Sequence, residues 1–216
     1  TSGFSIVSYT GNGTAGATVG HGLGVAPDMI LFKNLDSART WIVYHKSLGA
    51  TKNLYLDMTN ASDTSSIQFN DTEPTSTVFS VGTSVGTNES GDNIIAYCFA
   101  EKTGYSKFGS YTGNGNADGT FIYTGFKPAF LIAKRTDASA AWVMYDSKRD
   151  IDNPSNHRLL SNASTAELVE DANTNIDFLS NGFKTRNADA DSNASGGNYI
   201  YMAFGQSLVG SNNTPC

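Results

Sequence analysis

Two cysteines, three histidines and five prolines are all that 216 residues hold of those types. Cys98 lies inside the apolar run Ile94-Ile95-Ala96-Tyr97-Cys98-Phe99-Ala100, and Cys216 is terminal. That excludes a disulfide framework and leaves no Cys/His spacing for a zinc site; Cys98 reads as a small buried hydrophobe. Charge is scarce as well, at 16% of residues, with 14 Lys and Arg against 20 Asp and Glu and a net charge of −6. No Lys/Arg run exceeds two residues. Nucleic-acid binders draw affinity from a basic face that neutralises phosphates, so that class is excluded. No apolar run approaches the roughly 18 residues of a membrane helix, and no secretory signal pattern is visible. The chain opens at Thr1 without Met, and we expect it to be part of a longer polypeptide.

What is abundant is glycine, 22 residues, and aromatic side chains, 11%. With few charges, that composition suits short strands joined by tight turns rather than helical bundles. The main signal is an internal repeat. Ser8-Tyr9-Thr10-Gly11-Asn12-Gly13 recurs 102 residues later as Ser110-Tyr111-Thr112-Gly113-Asn114-Gly115. Pro27, Lys33, Asp36, Trp41 and Tyr44 recur at an offset of 101 as Pro128, Lys134, Asp137, Trp142 and Tyr145. Leu54, Asn88, Ser90, Ile95 and Phe99 recur at 105 as Leu159, Asn193, Ser195, Ile200 and Phe204. The second copy therefore gains four residues between Tyr145 and Leu159. Ordered matches over a hundred residues point to duplication.

Each copy reads as a string of strands. Phe4 to Thr10 is apolar and β-branched and stops at an Asn-Gly turn. Met29-Ile30-Leu31-Phe32 is continuously apolar, as in a strand buried on both faces. Trp41–Tyr44, Leu54–Leu56, Val78–Val81 and Ile94–Ala100 follow; the second copy offers Phe121–Tyr123, Phe130–Ala133, Trp142–Tyr145, Leu159–Leu160, Phe178–Leu179 and Tyr199–Phe204. One helix is predicted over Thr165–Glu170, capped by Ser164 with Glu167 three residues on. The expected fold is all-β: two tandem, tightly docked jelly-roll or β-sandwich repeats of about 100 residues. Their expected bounds are 1–103 and 104–206, with a carboxy-terminal tail over 207–216. Lys102–Gly109 is too short for a flexible linker, and its Tyr105 and Phe108 should pack.

Chemistry is sparse. His21, His45 and His157 lack a Gly-x-Ser-x-Gly elbow to serve. His45 aligns with Asp146 and His157 with Lys52, so the copies share no catalytic base. Asp57, Asp63, Glu73 and Glu101 could supply a glycosidase pair, but none adjoins an aromatic cleft. Asn187–Asn193 alternates oxygen ligands, making Asp189 and Asp191 the best metal candidates; the sixth and twelfth positions are Ser192 and Asn198 instead of the Gly and Glu of a calcium loop. We expect no metal, no cofactor and no catalytic residues. Trp41, Tyr44, Trp142 and Tyr145 read as core aromatics, or else as a sugar-stacking platform. The extra residues of the second copy, Asp146–Pro154, form a polar loop. Binding residues concentrate on such loops, so Lys148, Arg149, Asp152 and Asn153, with Arg39 and His45, are the candidate ligand contacts.

The repeated Ser-Tyr-Thr-Gly-Asn-Gly, Gly22-Leu23-Gly24-Val25-Ala26-Pro27, Trp41-Ile42-Val43-Tyr44-His45, Tyr97-Cys98-Phe99-Ala100-Glu101, Lys107-Phe108-Gly109-Ser110-Tyr111 and Asn193-Ala194-Ser195-Gly196 form a set. That set resembles a duplicated β-rich domain of tailed-bacteriophage tail-fibre-like and virion-surface proteins, including those of marine phages. The resemblance spans roughly Phe4 to Phe204 and departs at Gly205-Gln206, where Ala-Glu is expected. It implies a virion or extracellular location and other virion proteins as partners. It also implies a homotrimer; no membrane insertion is expected, because no apolar run is long enough for a membrane helix. Two functions remain open: non-catalytic adhesion to a host-surface glycan, or a purely structural role as capsid decoration or fibre-shaft module.

Overall fold

The computed structural model describes residues 3–169 and 174–206. The expected tail over 207–216, with Cys216, lies outside them. The chain is nearly all β, with antiparallel sheets packed in a sandwich-like arrangement. The first half contributes β1 (Phe4–Thr10), β2 (Ala17–Gly20), β3 (Met29–Asn34), β4 (Ile42–His45), β5 (Lys52–Tyr55) and β6 (Asp63–Thr64). The four-residue helix α1 (Ser66–Phe69), β7 (Val78–Val81) and β8 (Asn93–Phe99) complete it. The second half contributes β9 (Ser106–Thr112), β10 (Phe121–Tyr123), β11 (Pro128–Arg135), β12 (Trp142–Asp146), β13 (Leu159–Leu160), β14 (Ile176–Leu179), β15 (Gly182–Thr185) and β16 (Asn198–Gly205).

A six-stranded sheet of order β1-β8-β3-β4-β5-β6 and a two-stranded sheet β2-β7 enclose the first core. A five-stranded sheet, β9-β16-β11-β12-β13, and a three-stranded sheet, β10-β15-β14, enclose the second. Read element by element, the two large sheets share one strand order. Three apolar layers result. Ile30, Phe32, Tyr44, Phe79, Ala96 and Cys98 fill the first sandwich. Tyr111, Leu131, Val143, Tyr145, Phe183 and Tyr199 fill the second. Met29, Val43, Leu54, Phe108, Ile132, Trp142, Ile200 and Met202 form a third layer, where the large sheets meet face to face. Successive side chains in a strand point to opposite faces. Ile30 and Phe32 therefore serve the first core while Met29 and Leu31 serve the joint, which is why that run is continuously apolar. Burial pushes the Cys98 thiol up to about 12.

The halves are also tied by hydrogen bonds. Trp142 Nε1–H donates to the Tyr55 carbonyl at 2.7 Å, and Ser161 Oγ to Leu56 at 3.0 Å. Backbone bonds link Ser62 to Thr136 and Ala140 to Thr59, each at 2.9 Å. Lys134 is fully buried here, donating to the carbonyls of Thr59 (3.2 Å) and Arg135 (2.7 Å), and burial lowers its pKa to about 8.

Two expectations are corrected. Residues 165–169 are not helical, and Glu170 lies outside the described residues. Leu168 instead exchanges backbone hydrogen bonds with Arg158 at 2.9 and 3.0 Å, and Glu167 reaches Arg149. A six-residue helix recovers too few backbone bonds to hold alone, so strand-like pairing wins. Trp41 is the other case: Tyr44, Trp142 and Tyr145 are buried, but Trp41 is only half-buried, stacked on Tyr97 at 6.1 Å.

Candidate functional site

The most repeated motif holds each half closed. Tyr9 Oη donates to the Thr87 carbonyl at 2.6 Å, and Tyr111 Oη to Ser192 at 2.8 Å. Asn88 and Asn193 are buried, and their Oδ1 atoms accept from the amides of Asn12 (2.9 Å) and Asn114 (3.0 Å). A Cβ on Gly11 would lie 2.1 Å from the Glu89 carbonyl oxygen, and one on Gly113 2.4 Å from that of Ala194. Only glycine lets these backbones approach so closely. The motif's side chains and glycines are thus engaged in closing each half of the fold.

The predicted contact residues do not converge. His45 has no exposed surface and cannot meet a ligand. Its Nδ1 accepts from the Ser47 amide at 3.2 Å, so Nε2 carries the proton and donates to the Tyr201 carbonyl across the joint, also at 3.2 Å. Asn153 is spent on the backbone of Phe178, accepting from its N–H at 2.9 Å and donating to its carbonyl at 3.0 Å. Arg149 is clamped between Asp146 (2.7 Å) and Glu167 (2.5 Å), so its loop is closed upon itself. Lys148 and Asp152 are exposed on that loop; Arg39 is exposed on the β3–β4 turn of the other half. Asp189 and Asp191 both face Arg158, at 3.7 and 3.6 Å, so a guanidinium stands where a metal ion would. Among the described residues no group of three His, Cys, Asp or Glu could hold one.

The other two histidines and three of the four candidate carboxylates have partners within the fold. His21 is buried and bonded to Thr75 and Leu23, and His157 pairs with Asp150. Glu73 accepts from Tyr44 Oη at 2.6 Å and from the Ala50 amide at 2.7 Å. Asp57 accepts from the Trp41 amide at 3.2 Å, and Glu101 pairs with Lys107 at 2.7 Å. A polar groove of about 560 Å³ between the halves is edged by Ser47, Ser62, Thr112, Thr136 and Asn198.

A face that sequence reasoning passed over is better furnished. In the β10-β15-β14 sheet, Ile122 and Phe183 pair and point inward. Their neighbours Phe121 and Tyr123 point out, 44% and 64% exposed. Phe121 stands opposite Lys184, and Lys184 opposite Asp177. Lys184 reaches Asp118 at 2.5 Å, and Arg186 reaches Asp177 at 2.5 Å and Asp118 at 3.6 Å. The Asp118 carboxyl is held below its ordinary range by Lys184. Two exposed rings thus lie beside fixed donors and acceptors. The described residues of the first half have no such face. Gly16 bonds to Val81 as Gly119 bonds to Thr185, which sets Thr18, Gly20 and Ser80 against Phe121, Tyr123 and Lys184. The signal was present in the strand Phe121-Ile122-Tyr123, whose alternation leaves two aromatics on the outer side.

The first half has a different exposed surface. A row of rings runs Trp41–Tyr97–Phe4–Phe99–Phe204, with centroids 4.8 to 6.4 Å apart. It begins on the open part of the large sheet and ends in the joint. A hollow of about 600 Å³ beside it is lined by Gly3, Phe4, Phe99, Tyr105 and Phe204.

No curated protein and no solved structure matches the chain. Residues 1–207 match the family described as "Domain of unknown function (DUF7483)", and the chain belongs to that family.

Proposed function

We propose that this chain is a non-catalytic surface module of a tailed-phage virion, tail-fibre-like, that adheres to a host cell-surface glycan through the outer face of its second half. The observation that carries the reading is the pair Phe121 and Tyr123, exposed beside Lys184, Arg186, Asp118 and Asp177. Sugar rings present flat C–H faces that stack on aromatic rings, and their hydroxyls take charge-assisted hydrogen bonds. Both kinds of group stand together here on and beside one sheet. The two-copy sequence pattern fits the reading: one copy acquires a binding face while the other keeps Thr18 and Gly20.

A glycan-array screen of the purified chain tests it, with Tyr123→Ala and Arg149→Ala alongside. Specific binding should vanish in Tyr123→Ala and persist in Arg149→Ala, since Arg149 lies on the loop after β12 and not on the β10-β15-β14 sheet. Binding that survives Tyr123→Ala, or no binding by the parent chain, refutes the site. The second reading, a structural virion component, is favoured by the aromatic row on the first half, and predicts no glycan binding.

A further inference from the structure

We propose that a second copy of this chain joins the first edge to edge, pairing β1 antiparallel with its own counterpart about a two-fold axis. β1 is the terminal strand of the six-stranded sheet, and among the described residues no strand lies on its other side. Its register with β8 runs unbroken from Phe4–Phe99 to Thr10–Asn93. Gly3 accepts from Ala100, and Gly11 donates to Asp92, so the odd-numbered residues exchange bonds with β8. In an antiparallel ladder the alternate residues point their N–H and C=O the other way. The backbone groups of Ile6 and Ser8 therefore face the open edge.

Sheet edges are normally guarded by charge, proline, a bulge, shortness or cover. Among the described residues β1 shows none of these: it is seven residues long, and Phe4-Ser5-Ile6-Val7-Ser8-Tyr9-Thr10 holds no charge and no proline. The other three edges of the two large sheets differ. β6 and β13 are two residues each. β9 carries Lys107, and its Phe108 is buried in the joint.

A second copy fits this edge for two reasons. Each chain carries a net charge of −6, and β1 is a strip where two copies meet without like charges. A two-fold axis normal to the sheet also puts Phe4 and Ile6 of both copies, 42% and 55% exposed here, on one shared face. That face continues the ring row Trp41–Tyr97–Phe4–Phe99, which already forms the margin of the joint between the halves. Self-pairing of this kind closes at two copies, in place of the trimer implied by the resemblance.

A seven-residue edge spans only about 23 Å, too small a strip to bury the roughly 800 Å² per partner of a standard interface. The dimer should accordingly have a dissociation constant in the micromolar range. Sedimentation velocity from about 1 to about 300 µM would read it. The parent chain should pass from monomer to dimer across that range. Ile6→Lys places a charge on the shared face, and Ser8→Pro removes an outward donor without touching the β8 ladder. Each should weaken the dimer at least tenfold while thermal unfolding of the monomer stays unchanged; Lys107→Ala on β9 should leave the dimer intact. A parent chain that stays monomeric at about 300 µM, forms trimers, or dimerises equally well with both substitutions overturns the proposal. Glycan binding through Tyr123 is a separate readout on a different face.

Discussion

His45 ends β4 with no exposed surface and links the halves through the Tyr201 carbonyl. Burial lowers its pKa from 6.5 to about 4, and the charge of Lys46 adds to that. The Tyr201 hydrogen bond and Asp28 push the other way without overcoming burial. Protonation would also set a new Nδ1–H against the Ser47 amide, which now donates to Nδ1. In the unfolded chain the imidazole titrates near 6.5, so between the two values the unfolded state binds a proton that the folded state does not. Stability from His45 is therefore complete above about pH 6.5, declines as pH falls towards 4, and is lost below that. At 1.36 kcal/mol per pH unit, the gap between 6.5 and about 4 amounts to about 3 kcal/mol. Carboxylates titrate in the same region, so the comparison must be with His45→Gln, which keeps a donor for Tyr201 and cannot charge. Urea unfolding followed by tryptophan fluorescence, at several pH values from about 4 to about 7.5, reads the difference. At the upper end the variant should be weaker by about 1 kcal/mol, for the lost Ser47 bond. On acidification the parent should lose about 3 kcal/mol more than the variant. Parallel profiles for the two proteins would refute the assignment of the buried, neutral imidazole.

The two tryptophans should behave unlike each other. Trp142→Ala opens a cavity in the joint and removes the bond to Tyr55, and should cost about 3–5 kcal/mol in urea unfolding. Trp41→Ala, at a half-buried site, should cost about 1 kcal/mol; equal losses would mean that the joint has been misread. Gly11→Ala and Gly113→Ala each drive a Cβ against a carbonyl oxygen and should each cost about 1–3 kcal/mol, with far-UV circular dichroism retained. A neutral effect at either position would show that the turn yields.

The fold was largely legible where periodicity is strong. Met29–Phe32 was read as buried on both faces, and the two layers it serves explain why. Strands with one apolar residue were missed: Gly182-Phe183-Lys184-Thr185 shows no apolar run, yet Phe183 anchors the second core. β9 shows no apolar run around Phe108, because its neighbours are Lys107, Gly109 and Ser110, so the sequence reads there as a connector. The false helix at 165–169 came from local propensity, which a nearby backbone partner at Arg158 overrides. The site was less legible. Arg149 and Asn153 have the composition of a binding loop, but their partners, Glu167 and Phe178, lie 18 and 25 residues away, and that spacing carries no pattern. His45 looked like a surface polar residue because its cover, β16, comes from the other half.

That last case shows what decides exposure in this chain. Aligned positions in the halves carry similar residues, yet the joint treats them differently. Trp142 is sealed in it while Trp41 stays at its margin; Lys134 is buried and Lys33 is not. Phe108 is covered by the first half, whereas its counterpart Ile6 is more than half exposed. Met202 belongs to the joint, and Tyr97 at the equivalent position stacks in the open between Trp41 and Phe4. The large sheets therefore meet off centre: the second covers β3 to β5 of the first and leaves β1 and much of β8 bare. A centred joint would have hidden Phe4, Ile6 and Tyr97 and left β1 with no apolar face to share. The offset is thus the physical origin of the exposed apolar face beside that edge, while the edge itself is open because β1 ends the strand order. The outward Phe121 and Tyr123 owe nothing to it, since they lie on the far side of the second core. The two exposed apolar surfaces arise from separate causes, so a mutation that alters one should leave the structure of the other unchanged.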